Sequence, residues 1–284
     1  IGQKTKTAST ASASSKREGK TADMCPEDAG KPNLAAAFMP FGLDYKGGVS
    51  LATGWLGGTL GGAERIDGSF SPGTADVHAH AAGMAADREW ALAELTLLPP
   101  VPYPGKILCI GLNYAAHIAE MGRTGAAHPA VFTRWGDTLV PHGGALVIPR
   151  ESTMLDYEGE LAVVIGRKGR RIPAERAFEH IAGYTVFNDA SVRDWQNHAS
   201  QFTPGKNFPG TAGCGPALVT ADEVGDPTQL RVQTRVNGVV KQNFNTDDMA
   251  HKIARCIEWV SSIHTLEPGD ILATGTNHRG LSAF

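Results

Sequence analysis

Four cysteines in 284 residues, Cys25, Cys109, Cys214 and Cys256, are too few and too scattered for a disulfide framework, and none forms a Cys-x-x-Cys pair. They read as reduced, mostly buried thiols of a cytoplasmic protein. Long apolar runs are missing too, so no segment reads as a membrane span. Neither sign of charge is in large excess: 26 Lys and Arg face 29 Asp and Glu, a net charge of −3 at pH 7. That balance offers no basic face to nucleic acid or to an anionic membrane. Large apolar side chains are scarce in residues 1–35, which are mostly Ser, Thr, Ala, Lys and Gly. Such a segment cannot bury enough surface to offset its ordering entropy and is expected to be disordered. Its Ser-rich, basic character loosely fits a transit peptide, against which Glu18, Asp23, Glu27 and Asp28 argue.

Residues 36–100 form a small or atypical N-terminal region, Gly- and Ala-rich, with few strand-length apolar runs. His78 and His80 alternate as on a strand, but no acid accompanies them and they read as incidental. Arg88 to Leu98 is expected to form a short helix. Pro99-Pro100-Val101-Pro102 and Pro104-Gly105 then break the chain and mark a boundary. Residues 103–284 are long enough to bury a core of their own.

The most informative stretch is Asp156-Tyr157-Glu158-Gly159-Glu160 running into Leu161–Gly166. An apolar, β-branched run closed by glycine is a strand, in which residues two apart share a face. Glu158 and Glu160 therefore project together, followed by Ala162 and Val164. Two adjacent carboxylates on a greasy strand repel one another unless a positive charge lies between them. Ala182–Asp189 reads as a second strand with Asp189 at its far end. Three carboxylates at the ends of neighbouring strands suit a hard divalent cation, Mg²⁺ or Mn²⁺, with Ca²⁺ also compatible. No Cys or His lies at zinc-like spacing.

The block from Lys106 to Gly275 resembles the catalytic domain of the fumarylacetoacetate hydrolase family. The resemblance rests on Gly111-Leu112-Asn113-Tyr114-Ala115-Ala116-His117-Ile118-Ala119-Glu120, the Tyr157–Gly166 strand, Phe187–Gln196, Gly205-Lys206-Asn207-Phe208 and Pro268–Thr276, in that order. It implies an α+β fold, mainly β, in which a mixed sheet closes into a barrel-like roll. It also implies an enzyme that hydrolyses, hydrates, decarboxylates or isomerises 2-oxo acids or β-dicarbonyls. Glu158, Glu160 and Asp189 would hold the metal. His117, with Glu120 one helical turn away, would activate water, and Lys206 would place a cation beside enolate charge. Arg193 and Gln196, with Thr276, would bind the substrate's oxygens. The expected reaction is cleavage of a carbon–carbon bond in an acylpyruvate-type 2-oxo acid. The alternatives are decarboxylation, isomerisation or hydration of oxaloacetate-type acids, or a non-catalytic remnant. A homodimer is the family habit. Members of the family usually continue for several strands beyond Phe284, so the catalytic domain is expected to lack its last strands.

Four further local readings follow. Leu230–Val236, Asn237-Gly238 and Val239–Asn243 form a hairpin with a type I′ turn signal. Ala174–Ile181 is an amphipathic helix carrying Ala177, Phe178 and Ile181 on one side. Asp247 to about His264 is a helix with Met249, Ile253, Ile257 and Val260 along its stripe. Phe202–Gly215 is a Gly- and Pro-rich loop.

Overall fold

The structure is a computed structural model that describes residues 33–34, 96–120, 122 and 125–278. The expectations for residues 1–32, for His78 and His80 and for the last residues of the chain lie outside these. Asn33–Leu34 pairs in parallel with Thr96–Leu97. The helix expected to reach Leu98 is therefore extended at its end, where Pro99 disfavours helical backbone at the preceding residue.

The centre is an eight-stranded mixed sheet. Its strands are β1 (Ile107–Gly111), β2 (Ala130–Arg134), β3 (Leu139–Pro141), β5 (Gly159–Ile165), β6 (Ile181–Asn188), β8 (Ala212–Cys214), β9 (Val219–Thr220) and β12 (Ile271–Ala273). A short pair, β4 (Leu155–Asp156) with β7 (Ser191–Val192), and a hairpin, β10 (Arg231–Val236) with β11 (Val239–Asn245), complete the numbering. The order across the sheet is β2-β1-β12-β5-β6-β8-β3, with β9 on β6. β12 runs parallel to β1 and antiparallel to β5.

Both faces of the central strands are buried, and their alternating side chains sort cleanly. Leu108, Ile110, Leu161, Val163, Ile165 and Leu272 face one core, which they share with Ile253, Ile257 and Val260 of helix α5 (Ile253–Ile263). Ile107, Cys109, Ala162, Ala212, Ile271 and Ala273 face a second core with Phe187. The second set is rich in small residues, as the inside of a curled sheet requires. The expected β-roll is thus observed as a curled half-barrel.

Two expected helices differ. Ala174–His180 is a 3₁₀ segment, and Ile181 already belongs to β6. Phe178 is 44% exposed, so the stripe assigned to an α-helix does not exist there. Between Thr246 and Ile253 the chain forms a 3₁₀ turn, Thr246–Asp248, capped by the Asn245 side chain, before α5 starts. Met249 consequently reaches the core from outside the helix. The loop expected at Phe202–Gly215 contains helix α3 (Thr203–Lys206) as well as β8. The hairpin is as expected, with Asn237 and Gly238 at φ 51° and 79°, plus a register shift at Thr234/Arg235.

Two glycines fix the approach to one end of the sheet. Gly159, between the two glutamates, leaves no room for a β-carbon, which would lie 2.2 Å from Thr234 Oγ1 of the hairpin. Its N–H donates to Gln242 Oε1 at 2.9 Å. Gly275 has φ +98°, and a β-carbon there would lie 2.9 Å from the Ile110 carbonyl oxygen. Gly275→Ala is expected to destabilise the protein by about 1–3 kcal/mol, read from urea unfolding. An unchanged midpoint would show that the backbone relaxes at this position.

Candidate active site

The antiparallel register of β5 and β6 sets Gly159 opposite Asn188. The start of one strand and the end of the other therefore meet at one edge. The Asp189 N–H donates to the Glu158 carbonyl at 2.8 Å, and the Glu158 N–H to Asn188 Oδ1 at 2.9 Å. The carboxylates of Glu158, Glu160 and Asp189, all buried, offer oxygens within 4.8 Å of one another. This is the convergence expected from the sequence. Six-coordinate Mg²⁺ has bonds of about 2.1 Å, which sets its ligand oxygens roughly 3–4 Å apart, so the three need only a small adjustment to share one hard cation.

Cationic side chains surround two of the three acids. Lys206, on α3, places Nζ 2.7 Å from Glu158 Oε2 and 2.6 Å from Asp189 Oδ2. Arg134, at the end of β2 and buried, donates from Nε to Asp189 Oδ1 at 2.5 Å and also to the Ala190 carbonyl. Arg193, which opens helix α2 (Arg193–Gln196), donates from Nη1 to Glu158 Oε1 at 2.5 Å and to Gln196 Oε1 at 3.0 Å. Its Nε donates to Asp156 Oδ2 at 2.9 Å. Glu160 is different. It accepts from the Gly275 N–H at 2.8 Å, and among the described residues no cationic side chain hydrogen-bonds to it.

The electrostatics follow from these partners. Burial pushes the Glu158 carboxyl up, but Lys206 and Arg193 outweigh it and bring it down to about 2. Burial, then the charges of Asp189 and Glu158, hold the Glu160 carboxyl well above the usual carboxylate range. For Lys206, burial works against the charge, but Asp189 and Glu158 more than compensate and raise its pKa. Lys206 is therefore an ammonium at any ordinary pH and cannot serve as a base. A buried Glu with anionic neighbours and no cationic side chain of its own is the donor a metal ion would satisfy, so the residues fit the expected group.

A cavity of about 430 Å³ opens at this edge. Ile110, Leu112, Phe132 and Phe202 give it an apolar wall, and Glu158, Glu160, Asp189, Lys206, Arg193 and Gln196 a polar one. His117, on helix α1 (Ala115–Glu120), lines it too. Burial lowers the His117 pKa against the raising effect of Glu158 and Glu120, and its Nδ1 is buried without a hydrogen-bond partner. Glu120 is exposed, and its charge still bears on His117. Thr276 lines the cavity, but its hydroxyl donates to the Gly159 carbonyl at 2.8 Å and accepts from Gln242 Nε2 at 2.8 Å. Its hydroxyl proton is thus committed to the backbone between the two glutamates. The Ser191 hydroxyl donates to the Asp189 carbonyl at 3.0 Å.

Three participants were not anticipated. Asp156 continues the alternation of Glu158 and Glu160 two residues earlier, a signal present in the sequence. Arg134 and His278 come from segments distant in the chain, with no local pattern to mark them. His278 Nε2 lies 2.6 Å from Asp156 Oδ2.

Carboxylates, a buried ammonium and an imidazole gather at one cavity, in an arrangement suited to a divalent cation. Residues 106–282 match the family model described as fumarylacetoacetate (FAA) hydrolase C-terminal, and the chain belongs to that family. Over 186 residues it is 44% identical to a Bos taurus protein named oxaloacetate tautomerase FAHD2A, mitochondrial, covering 65% of this chain and 59% of that protein. Over 191 residues it is 46% identical to oxaloacetate tautomerase YisK of Bacillus subtilis (strain 168), covering 66% and 64%. The chain thus spans about three fifths of the length of the curated relatives it matches. A solved 5-carboxymethyl-2-hydroxymuconate delta-isomerase from Mycobacterium smegmatis is 37% identical, with a TM-score of 0.60 over 67% of this chain and 72% of that one. The scattered thiols do not single out the cytoplasm, since relatives with mitochondrial in their names share the family. Cys109, Cys214 and Cys256 are free and buried, and among the described residues no helix is long and apolar enough to cross a membrane.

Two outcomes are expected. In EDTA-treated protein, Lys206→Met leaves two buried carboxylates facing each other and should cost about 3–5 kcal/mol in urea unfolding. Added Mn²⁺ should restore more stability to this variant than to the parent, and equal restoration would refute the shared site. Separately, a carboxyl raised above its usual range keeps its proton as pH rises past about 4.5. A cation requires the ionised form, so Mn²⁺ uptake should expel protons and tighten with pH. Calorimetry in buffers of different ionisation enthalpy reads this, and a heat that does not depend on buffer would contradict it.

Proposed function

We propose that this chain is a divalent-metal-dependent tautomerase or isomerase of small 2-oxo acids, with a dicarboxylate of the oxaloacetate type as substrate. The observation that carries the reading is Glu160, a buried carboxylate with no cationic hydrogen-bond partner among the described residues, beside Glu158, Asp189 and Lys206 at one cavity. Glu158, Glu160 and Asp189 would hold Mg²⁺ or Mn²⁺. When bound, the cation supplies Lewis-acid polarisation of the 2-oxo group and a template for its adjacent oxygens.

The chain's own residues do the rest. Lys206, fixed as an ammonium, faces the negative charge that grows on the substrate oxygen as a proton leaves the neighbouring carbon. Burial keeps His117 unprotonated near neutral pH and therefore able to take that proton. Arg193 and Gln196, already held together, present a planar donor edge suited to a carboxylate. Phe132 and Phe202 close one side and limit water. Carbon–carbon hydrolysis, the first expectation from the sequence, uses the same groups with water as the attacking species. The names of the relatives favour the proton shift over it. A homodimer remains the expected assembly, to be checked by light scattering.

The test follows the enol absorbance of oxaloacetate with EDTA-stripped protein and then with Mn²⁺. Turnover should require the metal. Glu160→Gln should lose Mn²⁺ affinity and at least about 100-fold in kcat/KM together. Undiminished turnover in EDTA would overturn the reading, and release of a cleaved acid from an acylpyruvate at a higher rate would favour the hydrolase.

A further inference from the structure

The charged groups of the site form a chain in which signs alternate, and the chain ends at an imidazole. Asp189 meets Lys206, Lys206 meets Glu158, Glu158 meets Arg193, Arg193 meets Asp156, and Asp156 meets His278. The last member lines the same cavity as His117. His278 is 5% exposed, and its ring packs edge-on against Tyr157 with centroids 4.9 Å apart.

The hydrogen bonding assigns its tautomer. Asp156 Oδ2 accepts from Arg193 Nε, so it is an acceptor, and the contact at 2.6 Å makes His278 Nε2 the N–H donor. Nδ1 is left as the nitrogen that can gain and lose a proton. Asp156 is already in place as counter-ion when the ring is protonated, the arrangement by which a carboxylate orients a catalytic imidazole.

We propose that His278 is a second proton-transfer residue of this cavity, working with His117 as an acid–base pair, and that Asp156 is its positioning residue. The inference rests on the tautomerase reading above. A keto-to-enol shift breaks one C–H bond and makes one O–H bond. His117 takes the proton from the carbon next to the 2-oxo group. The C–H electron pair becomes the carbon–carbon double bond, and the carbonyl π pair moves to oxygen. Nδ1–H of the protonated His278 ring gives that oxygen its proton, and solvent then returns one proton to His278 and removes one from His117. No electrons leave the substrate. The charged or titratable groups facing His278 are Asp156 and Tyr157, Arg193 through Asp156, and His117, Glu158, Glu160, Asp189 and Lys206 lining the same cavity.

The experiment compares the Mn²⁺-loaded parent with His278→Gln and Asp156→Asn, using oxaloacetate and exchange of its C3 hydrogens for deuterium. His278→Gln should lose about 100-fold or more in kcat with KM and Mn²⁺ affinity within about threefold. Its rate profile should lose the alkaline limb, where the parent's acid is deprotonated, and keep the acidic limb that belongs to His117. Asp156→Asn should show the same limb weakened. Added imidazole should restore part of the rate to His278→Ala, which a purely structural role would not allow. Nitrogen-15 shifts of the parent should report an Nε2–H ring at His278. An active parent with an unaltered profile in His278→Gln overturns this inference and leaves the tautomerase reading intact. An inactive parent overturns both.

Discussion

Four carboxylates, Asp156, Glu158, Glu160 and Asp189, are buried at one edge of the sheet, and their mutual repulsion is the constraint on which the rest of the site depends. Each would shed its charge in that environment without a partner. Lys206, Arg193 and Arg134 supply three positive charges for four carboxyl groups. The cations are distributed unevenly. Asp189 receives two, Glu158 receives two, and Glu160 is left with a backbone N–H. That unevenness gives the cluster a direction, since the carboxyl left without a cation stands nearest the strand core. A site meant only to hold the fold together would gain more from apolar side chains of the same size.

The geometry that assembles these groups is inexpensive because it is backbone geometry. Antiparallel pairing of β5 and β6 brings residues about thirty apart in sequence into one edge without any long side chain having to reach. The cations arrive from short segments beyond the sheet, on α2 and α3, and from the end of β2. The cavity between them has a mainly apolar lining, which strengthens every charge–charge interaction inside it. The fold class and the site are thus two views of one arrangement: small residues line the inside of the curl, and the acids stand at its rim.

How much of this was legible in the sequence depended on the range of the signal. The acid strand and the hairpin carry their reasons within a few residues, whereas the glycine between the glutamates answers to Thr234 and Gln242 far along the chain. Period-two alternation and a two-residue turn are local physics. Lys206 was found through the motif around it. Asp156 was visible and overlooked, because the alternation was read from Glu158 onward. Arg134 and His278 were not visible at all. A single charged residue at a strand end or in a loop gains meaning only from what the fold sets against it. The misread helix at Ala174–His180 has the same cause. Its apolar residues suit an amphipathic helix, but β6 claims Ile181 and the chain has only a tight 3₁₀ segment in which to reach it. Thr276 lines the cavity, and its hydroxyl is held by the Gly159 carbonyl and Gln242, partners that only the fold brings to it.

The hairpin β10–β11 acquires a significance from its grip on Gly159. Thr234 packs where a β-carbon would stand, and Gln242 reaches both the Gly159 N–H and the Thr276 hydroxyl. Val239 and Val240, next to the turn, are exposed. The ribbon therefore ties a solvent-exposed turn to the backbone between the two glutamates, so the spacing of the acids depends on residues some eighty positions further along the chain as well as on their own strand.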